Sequence, residues 1–176
     1  MSVTFLLSSL PSLEFGVQAP LSVADYRMRC QSIEEMSLSD FDAVAAGIPG
    51  SHPFTQEYAS VLTEVKNITS SFRASKWEGE NIRLSERPYY GCHVFLQRKT
   101  AEACNIKNPF ERERALELIR WQIAEELASQ DLEYFSEAKA YAYLIKLQIN
   151  IRLASLKDEL GKSTIEEFIK TQDTTY

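Results

Sequence analysis

The spacing of apolar residues is helical along most of the chain. Between residues 134 and 160 apolar side chains recur every three or four positions, which is typical of an α-helix with one broad buried face. These residues are Tyr134, Phe135, Ala138, Tyr141, Ala142, Ile145, Ile149, Leu153, Leu156 and Leu160. A second strip lies roughly opposite and consists of Tyr143, Leu144, Leu147 and Ile151. Because a surface helix needs only one apolar face, we expect this helix to have neighbours on two sides.

A second long helix is predicted to begin at Pro53, a residue well suited to the first helical position. Its apolar residues follow a heptad spacing and form a seam of Phe54, Tyr58, Val61, Val65, Ile68 and Phe72. The opposite face is polar but almost uncharged and consists of Gln56, Ser60, Thr63, Asn67 and Ser70. That face is either solvated or a contact surface for another protein chain. The Phe54–Phe72 seam offers a possible interface for a homo-oligomer.

Capping signals predict several shorter helices. Ser22 with Asp25, and Ser39 with Asp42, have the spacing of an N-cap and a first-turn acid, and Gly47 marks the end of the second of these helices.

Further along the chain, Asn108, Pro109 and Glu111 predict the start of a longer helix. Its inner stripe is Leu116, Ile119, Ile123 and Leu127. A short helix is predicted across Val94 to Cys104, and Ser163 with Glu166 predicts one more after Gly161.

These elements predict an all-α fold, a helical bundle with long antiparallel helices. Alternating β-branched runs bounded by hairpin turns are missing. The stretch "GIPGSHP" has two prolines and two glycines in seven residues and separates a small N-terminal helical segment, 1–48, from the main bundle, 49–176. The first residues, "VTFLLSSLPSLEFG", form either a short irregular or extended segment or a helical turn docked on the core.

Charge and hydropathy exclude two classes of partner. The 176 residues carry 25 acids and 19 bases, a net charge of -6, and the bases are dispersed. Because phosphate neutralisation requires clustered Lys and Arg, we expect no nucleic-acid binding. No run approaches the ~18 consecutive apolar residues of a spanning helix, so we expect no direct membrane insertion.

The cysteines indicate free thiols and a reducing cytosol. Cys30, Cys92 and Cys104 are odd in number, and the amino terminus lacks the basic and long apolar regions of a signal peptide. Cys92, His93 and Cys104 could supply three zinc ligands, but zinc sites usually pair their ligands at short spacing and no second Cys/His pair exists. We therefore expect neither a metal nor a cofactor.

Motifs for catalysis are also missing. No Gly-x-Ser-x-Gly elbow is present. Gly161, Lys162 and Ser163 look like the tail of a phosphate-binding loop, but Leu156 stands where that motif needs a glycine. Carboxylates such as Glu117, three residues before Arg120, are interpreted as members of weak surface ion pairs. We expect the chain not to be an enzyme.

Two aromatic or basic positions leave alternatives open. Arg152 falls within the apolar stripe of residues 134 to 160, so its guanidinium must reach water, pair with a carboxylate of a neighbouring helix or contact a partner. Trp121, next to Arg120, lies off the inner stripe of its helix and is either a second core contact or an interface anchor.

Four segments in chain order carry a family resemblance: "FLLSSLPSLEFG", "PLSVADYRMRC", "NPFERERALELIRWQIAEELA" and "YAYLIKLQINIRLASL". They resemble a family of short bacterial proteins encoded among the subunits of A/V-type ATPases. That family is more distantly similar to the C-type, or d-like, subunit of these ATPases. The d-like subunit is an all-helical, non-catalytic funnel between the central stalk and the membrane rotor ring. Asn150 and Arg152 match its Asn-rich helix with a following Arg.

The resemblance implies a cytoplasmic helical adaptor, a non-catalytic subunit or an accessory or assembly factor, peripheral to the inner membrane through the ATPase. Its partners would be the central stalk and the rotor ring. The residues expected to contact them are Arg120, Trp121, Tyr143, Asn150 and Arg152. The chain is about half as long as the d-like subunit, so it is either a reduced version or an assembly or regulatory factor. The alternatives are a self-associating scaffold and a small cytosolic enzyme.

Overall fold

The computed structural model describes residues 2–76 and 94–156, which fold into seven α-helices without any strand. The predicted all-α class is confirmed. In chain order the helices are α1 (Val3–Ser9), α2 (Val23–Gln31), α3 (Leu38–Ala46), α4 (Pro53–Ser75), α5 (Val94–Cys104), α6 (Pro109–Ser129) and α7 (Glu137–Ser155).

Helix α7 lies at the centre of the described bundle. It packs against α1, α2, α3, α4 and α6. Its side chains with no exposed surface are Ala140, Tyr141, Leu144, Ile145 and Leu147. Tyr141 and Ile145 come from one apolar strip of the sequence and Leu144 and Leu147 from the other, so the predicted neighbours on two sides are confirmed.

Helices α6 and α7 run antiparallel as a hairpin. Arg152, near the end of α7, pairs with Glu113 near the start of α6, whereas Lys146 pairs with Glu125 further along α6. Helix α5 packs on α4 and α6, and α4 packs on α6, which extends the bundle on this side. The predicted long antiparallel helices are therefore present.

Local capping explains where several helices begin. Ser22 and Asp25 form the predicted capping box of α2, and Asn108 caps α6 through the N–H groups of Phe110 and Glu111. The predicted cap of α3 at Ser39 is wrong by two residues.

The cap of α3 is Ser37, whose hydroxyl accepts the Asp40 N–H at 3.2 Å. The Ser39 hydroxyl instead lies 2.8 Å from that of Ser37. The predicted end at Gly47 is confirmed, since this glycine adopts the left-handed conformation with φ of 66°.

The amino terminus is helical. Ser2 caps α1 by accepting the Phe5 N–H, and Val3 and Leu6 are buried. The extended alternative is wrong for residues 3–9, whose helix places Val3 and Leu6 against the core, whereas residues 10–16 are neither helix nor strand, as the irregular alternative predicted. Buried residues of all seven helices belong to one hydrophobic cluster, so the boundary at residue 48 lies in a loop between two helices that share a core.

Helix α7 is shorter than the apolar pattern of residues 134 to 160. It begins at Glu137, and Tyr134 and Phe135 precede it in the turn from α6. The predicted continuation to Leu160, and the helix predicted from Ser163, lie outside the described residues. None of the described helices has an apolar stretch long enough to cross a bilayer.

The heptad seam of α4 is used within the chain. Phe54, Tyr58, Val61 and Val65 are each at most 6% exposed and belong to the common core. The expectation that this part of the seam joins two copies is therefore corrected, because its apolar surface already packs against the chain's own helices. Ile68 and Phe72 are half-buried.

Gly47 offers a test of the packing between α3 and α4. A Cβ atom at Gly47 would lie 2.7 Å from Leu62 Cδ2, whereas one at Gly16, also left-handed with φ of 79°, would lie 3.8 Å from its nearest neighbour, Arg114. We expect Gly16→Ala to lower the free energy of unfolding by about 1 kcal/mol, from backbone strain alone. Gly47→Ala should lower it by about 2–3 kcal/mol, because the side-chain overlap adds to the strain. Urea denaturation measures both, and equal losses would contradict the overlap.

Candidate functional site: a groove around Glu117

Glu117 is a buried carboxylate at the meeting point of two guanidinium groups. Its side chain is 3% exposed. Arg120, one turn along α6, donates from Nη1 to both carboxylate oxygens at 2.9 and 3.1 Å. Arg152 of α7 brings its Nε to 3.1 Å from Oε1. A buried carboxylate is tolerated when cations surround it, and here two neighbouring helices supply them.

Arg120 also connects α6 to α4. Its Nη2 donates to the hydroxyl of Tyr58 at 3.3 Å, and Tyr58 is 1% exposed. Burial raises the pKa of Tyr58, although the charge of Arg120 opposes this effect. The interpretation of Glu117 and Arg120 as a weak surface pair is therefore wrong, because packing of α4 and α7 against this face of α6 removes the pair from water.

Arg152 combines two of the alternatives left open by the sequence. Its side chain is 52% exposed, so the guanidinium reaches water, and it also pairs with Glu113 and Glu117 of α6. An arginine is tolerated on this apolar stripe because it lies near the open end of the hairpin, where its guanidinium reaches both carboxylates and solvent.

These side chains form part of the lining of a groove of about 380 Å³ between α3, α4, α6 and α7. The groove contains more bases than acids: Lys66, Arg73, Arg120 and Arg152 against Glu113 and Glu117. The end of α3, from Ala45 to Gly47, forms another wall. In a chain of net charge -6, this is a locally basic surface.

The other three predicted contact residues hold the N-terminal strap, residues 10–16, onto the α6–α7 hairpin. Asn150 is 1% exposed, and both ends of its amide are bonded: Oδ1 accepts the Gly16 N–H and Nδ2 donates to the Glu14 carbonyl, each at 2.9 Å. Tyr143 donates its hydroxyl proton to the Pro11 carbonyl at 3.1 Å.

Trp121 completes the fastening of the strap. Its ring meets Phe15 edge-to-face at 5.6 Å, and its Nε1 donates to Glu125 at 3.0 Å. At 6% exposure it is a core contact and not an interface anchor. The expectation that Trp121 and Asn150 contact a partner is corrected, because both are buried against their own strap.

The structure brings together Arg120 and Arg152 but not the whole predicted set. Sequence reasoning missed Tyr58 and Glu113 and misjudged Glu117. The sequence shows that Glu117 and Arg120 lie three residues apart on one helix. Nothing in it indicates that Tyr58 and Arg152, which lie on other helices, contact this charged pair.

The described part of the chain contains two of the three cysteines. Cys30 and Cys104 are buried free thiols, and burial raises the pKa of Cys30 to about 11, which keeps it protonated at neutral pH. Residues 2–76 and 94–156 contain no group of three His, Cys, Asp or Glu side chains suited to a metal ion. Cys92 and His93, considered above as ligands, lie outside the described residues, as do Gly161, Lys162 and Ser163.

Comparison with known proteins identifies a family. The model of the family described as "Protein of unknown function (DUF2764)" matches residues 80–174, more than half of the chain. The described helices within this match are α5, α6 and α7, which include Glu117 and both arginines. No curated protein and no solved structure matches the chain.

Asn150 provides a test of the strap. Asn150→Ala should lower the free energy of unfolding by about 2–3 kcal/mol, because it leaves the Gly16 N–H and the Glu14 carbonyl without partners and opens a small cavity. Limited proteolysis should also cut the strap faster. The control is Asn105→Ala, since Asn105 is exposed and bonds only locally to the Ala101 carbonyl. We expect that control to stay within about 0.5 kcal/mol of the parent chain. Equal losses would show that Asn150 does not fasten the strap.

Glu117 provides a test of the buried pair. Glu117→Gln should lower the free energy of unfolding by about 3 kcal/mol, because Arg120 would lose the charge that compensates its burial. Glu102→Gln is the matched control, since Glu102 lies 3.7 Å from Arg98 in an ion pair whose side chains are about two-thirds exposed. Exposed pairs contribute little, so the control should change by less than about 1 kcal/mol. Denaturation of both variants at neutral pH measures the difference, and a Glu117→Gln loss as small as the control's would refute the burial argument.

Proposed function

Because the chain belongs to the DUF2764 family, whose function is unknown, we propose a function from its own residues: it is a non-catalytic helical adaptor of an A/V-type ATPase. The resemblance of its four segments to proteins encoded with that ATPase supports the assignment. So does the groove around Glu117, where two of the residues expected to contact a partner line an open surface.

The groove is the observation that carries the binding role. Its basic lining fits an acidic segment of a partner, since complementary charges favour encounter and register. The exposed Arg73 on α4 and the half-exposed Arg152 on α7 would meet such a segment first. Glu117 would remain beneath them as the group that holds Arg120 and Arg152 in place.

The ion pairs and hydrogen bonds that hold the groove's arginines suit an adaptor. Arg120 is tied to Glu117 and Tyr58, and Arg152 to Glu113 and Glu117, so both guanidinium groups are already oriented before a partner arrives. Binding to a preorganised surface loses less conformational entropy than binding to a mobile one. Helices packed around α7 would then transmit force between stalk and rotor without rearranging.

The same proposal covers location and role within the complex. The chain would be cytoplasmic and would meet the inner membrane only through the ATPase. As a true component of the enzyme it would copurify with the assembled ATPase at fixed stoichiometry. As an assembly or regulatory factor it would be found with subcomplexes and be released from the finished enzyme.

The proposal is tested by charge reversal at the groove. We expect the affinity-tagged chain, expressed at its native level, to recover stalk or rotor subunits, and Arg73→Glu to reduce that recovery about five-fold or more. The control is Arg29→Glu on α2, another exposed arginine in the last turn of its helix but outside the groove. It makes the same change in net charge and should leave the recovery unchanged. Quantitative mass spectrometry of the eluates measures all three chains.

Two results would count against the proposal. Absence of every stalk and rotor subunit from the parent chain's eluate would remove the ATPase assignment. Equal recovery with Arg73→Glu and Arg29→Glu would leave the ATPase assignment in place but remove the groove as its contact surface.

A further inference from the structure

The turn between α6 and α7 presents two large apolar side chains to solvent. Among the described residues, Leu132 is 100% exposed and Tyr134 is 81% exposed. We call residues 131–134 the hairpin tip. Exposed apolar side chains are common on protein surfaces, but Leu132 buries no part of its side chain against the described chain.

The hairpin tip is nevertheless held in a defined conformation. Asp131 Oδ1 accepts the Glu133 N–H at 3.1 Å, and this bond is the main reason that the pKa of Asp131 is lowered. Lys139 donates to the carbonyl groups of Asp131 and Glu133. Tyr134 packs edge-to-face on Phe135 at 4.7 Å. Polar contacts and a ring pair therefore fix the turn, and Leu132 is not needed for it.

An apolar side chain displayed on an ordered turn has the properties of an interface anchor. It can enter a pocket without a large loss of conformational entropy, and the burial of a leucine and a tyrosine removes substantial apolar surface from water. Polar residues are usual in turns, so the fold alone does not account for a leucine at this position.

The charges beside Leu132 indicate the partner's chemistry. Asp131 and Glu133 flank it directly and outnumber the one cation at the turn, Lys139, so the complementary surface is an apolar pocket with Lys or Arg at its rim. Anionic lipid would repel these carboxylates, which disfavours a membrane surface as the occupant. We propose that the hairpin tip inserts Leu132 and Tyr134 into a basic-rimmed apolar pocket on a partner protein.

The position of the tip deepens the adaptor role proposed above, on which this inference rests. On α6 the groove is lined from Glu113 to Arg120, which lie 17 and 10 positions before the cap residue Gln130. At about 1.5 Å per residue the tip is therefore roughly 15–25 Å from the groove. The α6–α7 hairpin would thus present the basic groove near one end and the acidic, apolar hairpin tip at the other. Two partners could then bind to it at separate surfaces.

Site-specific photocrosslinking tests the inference in the full chain. A benzophenone-bearing residue in place of Leu132 should crosslink in the native cell to a protein other than this chain, at an apolar residue with Lys or Arg beside it. The same probe in place of Met28, a well-exposed apolar residue of α2, is the control and should not label that site. Mass spectrometry maps the crosslinked peptides.

Substitutions at the tip supply a second readout. Leu132→Ala and Tyr134→Ala should each lower recovery of the crosslinked partner about tenfold, while Leu132→Met should retain it. Because Leu132 is exposed and takes no part in fixing the turn, thermal unfolding of both Leu132 variants should match that of the parent chain. Unchanged recovery with Leu132→Ala would overturn the inference, as would no adduct at position 132 or an adduct with lipid, with a second copy or with a site lacking basic residues.

The identity of the adduct separates this inference from the ATPase assignment. A stalk or rotor protein in the adduct would support both. Another protein with the stated pocket would support the tip and remove the ATPase role from this contact. Loss of ATPase subunits with Arg73→Glu, without any adduct at position 132, would leave the ATPase assignment and remove the tip.

Discussion

Burial of α7 on nearly all sides is the constraint on which the rest of the structure depends. Its two apolar strips cannot both face a single neighbour, so α6 covers one side and the N-terminal helices and α4 cover others. Small residues such as Ala140, with no exposed surface, let those helices approach closely. A helix buried in this way has little tolerance for polar side chains that lack a partner inside the molecule.

The polar residues of α7 therefore define how the surrounding segments are placed. Asn150 gives both ends of its amide to the strap, Tyr143 binds a strap carbonyl, and Arg152 joins the carboxylates of α6. Glu117 in turn needs a cationic partner, because a buried carboxylate without one would be an uncompensated charge. Arg120 and Arg152 both reach it and are balanced by Glu117 and Glu113, so the net positive charge of the groove comes from Lys66 and Arg73.

The sequence predicted the parts of this structure that depend on local physics. Apolar periodicity and the Asn108 cap specify a helix within a few neighbouring residues, and Gly47 specifies its terminus by backbone sterics. The cap of α3 was missed because Ser37 and Ser39 both precede an aspartate by three residues. Tertiary contacts favour Ser37 over Ser39. When Ser37 is the cap, Asp40 accepts the backbone N–H groups of Ser51 and His52 at the start of α4. Burial of Glu117 was missed for the same kind of reason, since it depends on neighbouring helices that are distant in sequence.

The strap and the hairpin tip show how the chain separates internal from external contacts. Trp121 and Asn150 are the large aromatic and amide groups that would anchor an interface, yet the strap covers them. Leu132 and Tyr134 contribute little to the described core, yet the turn beneath them is fastened by Asp131 and Lys139. On the proposals above, a fold that buries its obvious anchors and orders an exposed turn would bind its partners through the two ends of the α6–α7 hairpin. The rigidity of α7 would then keep those ends at a constant separation.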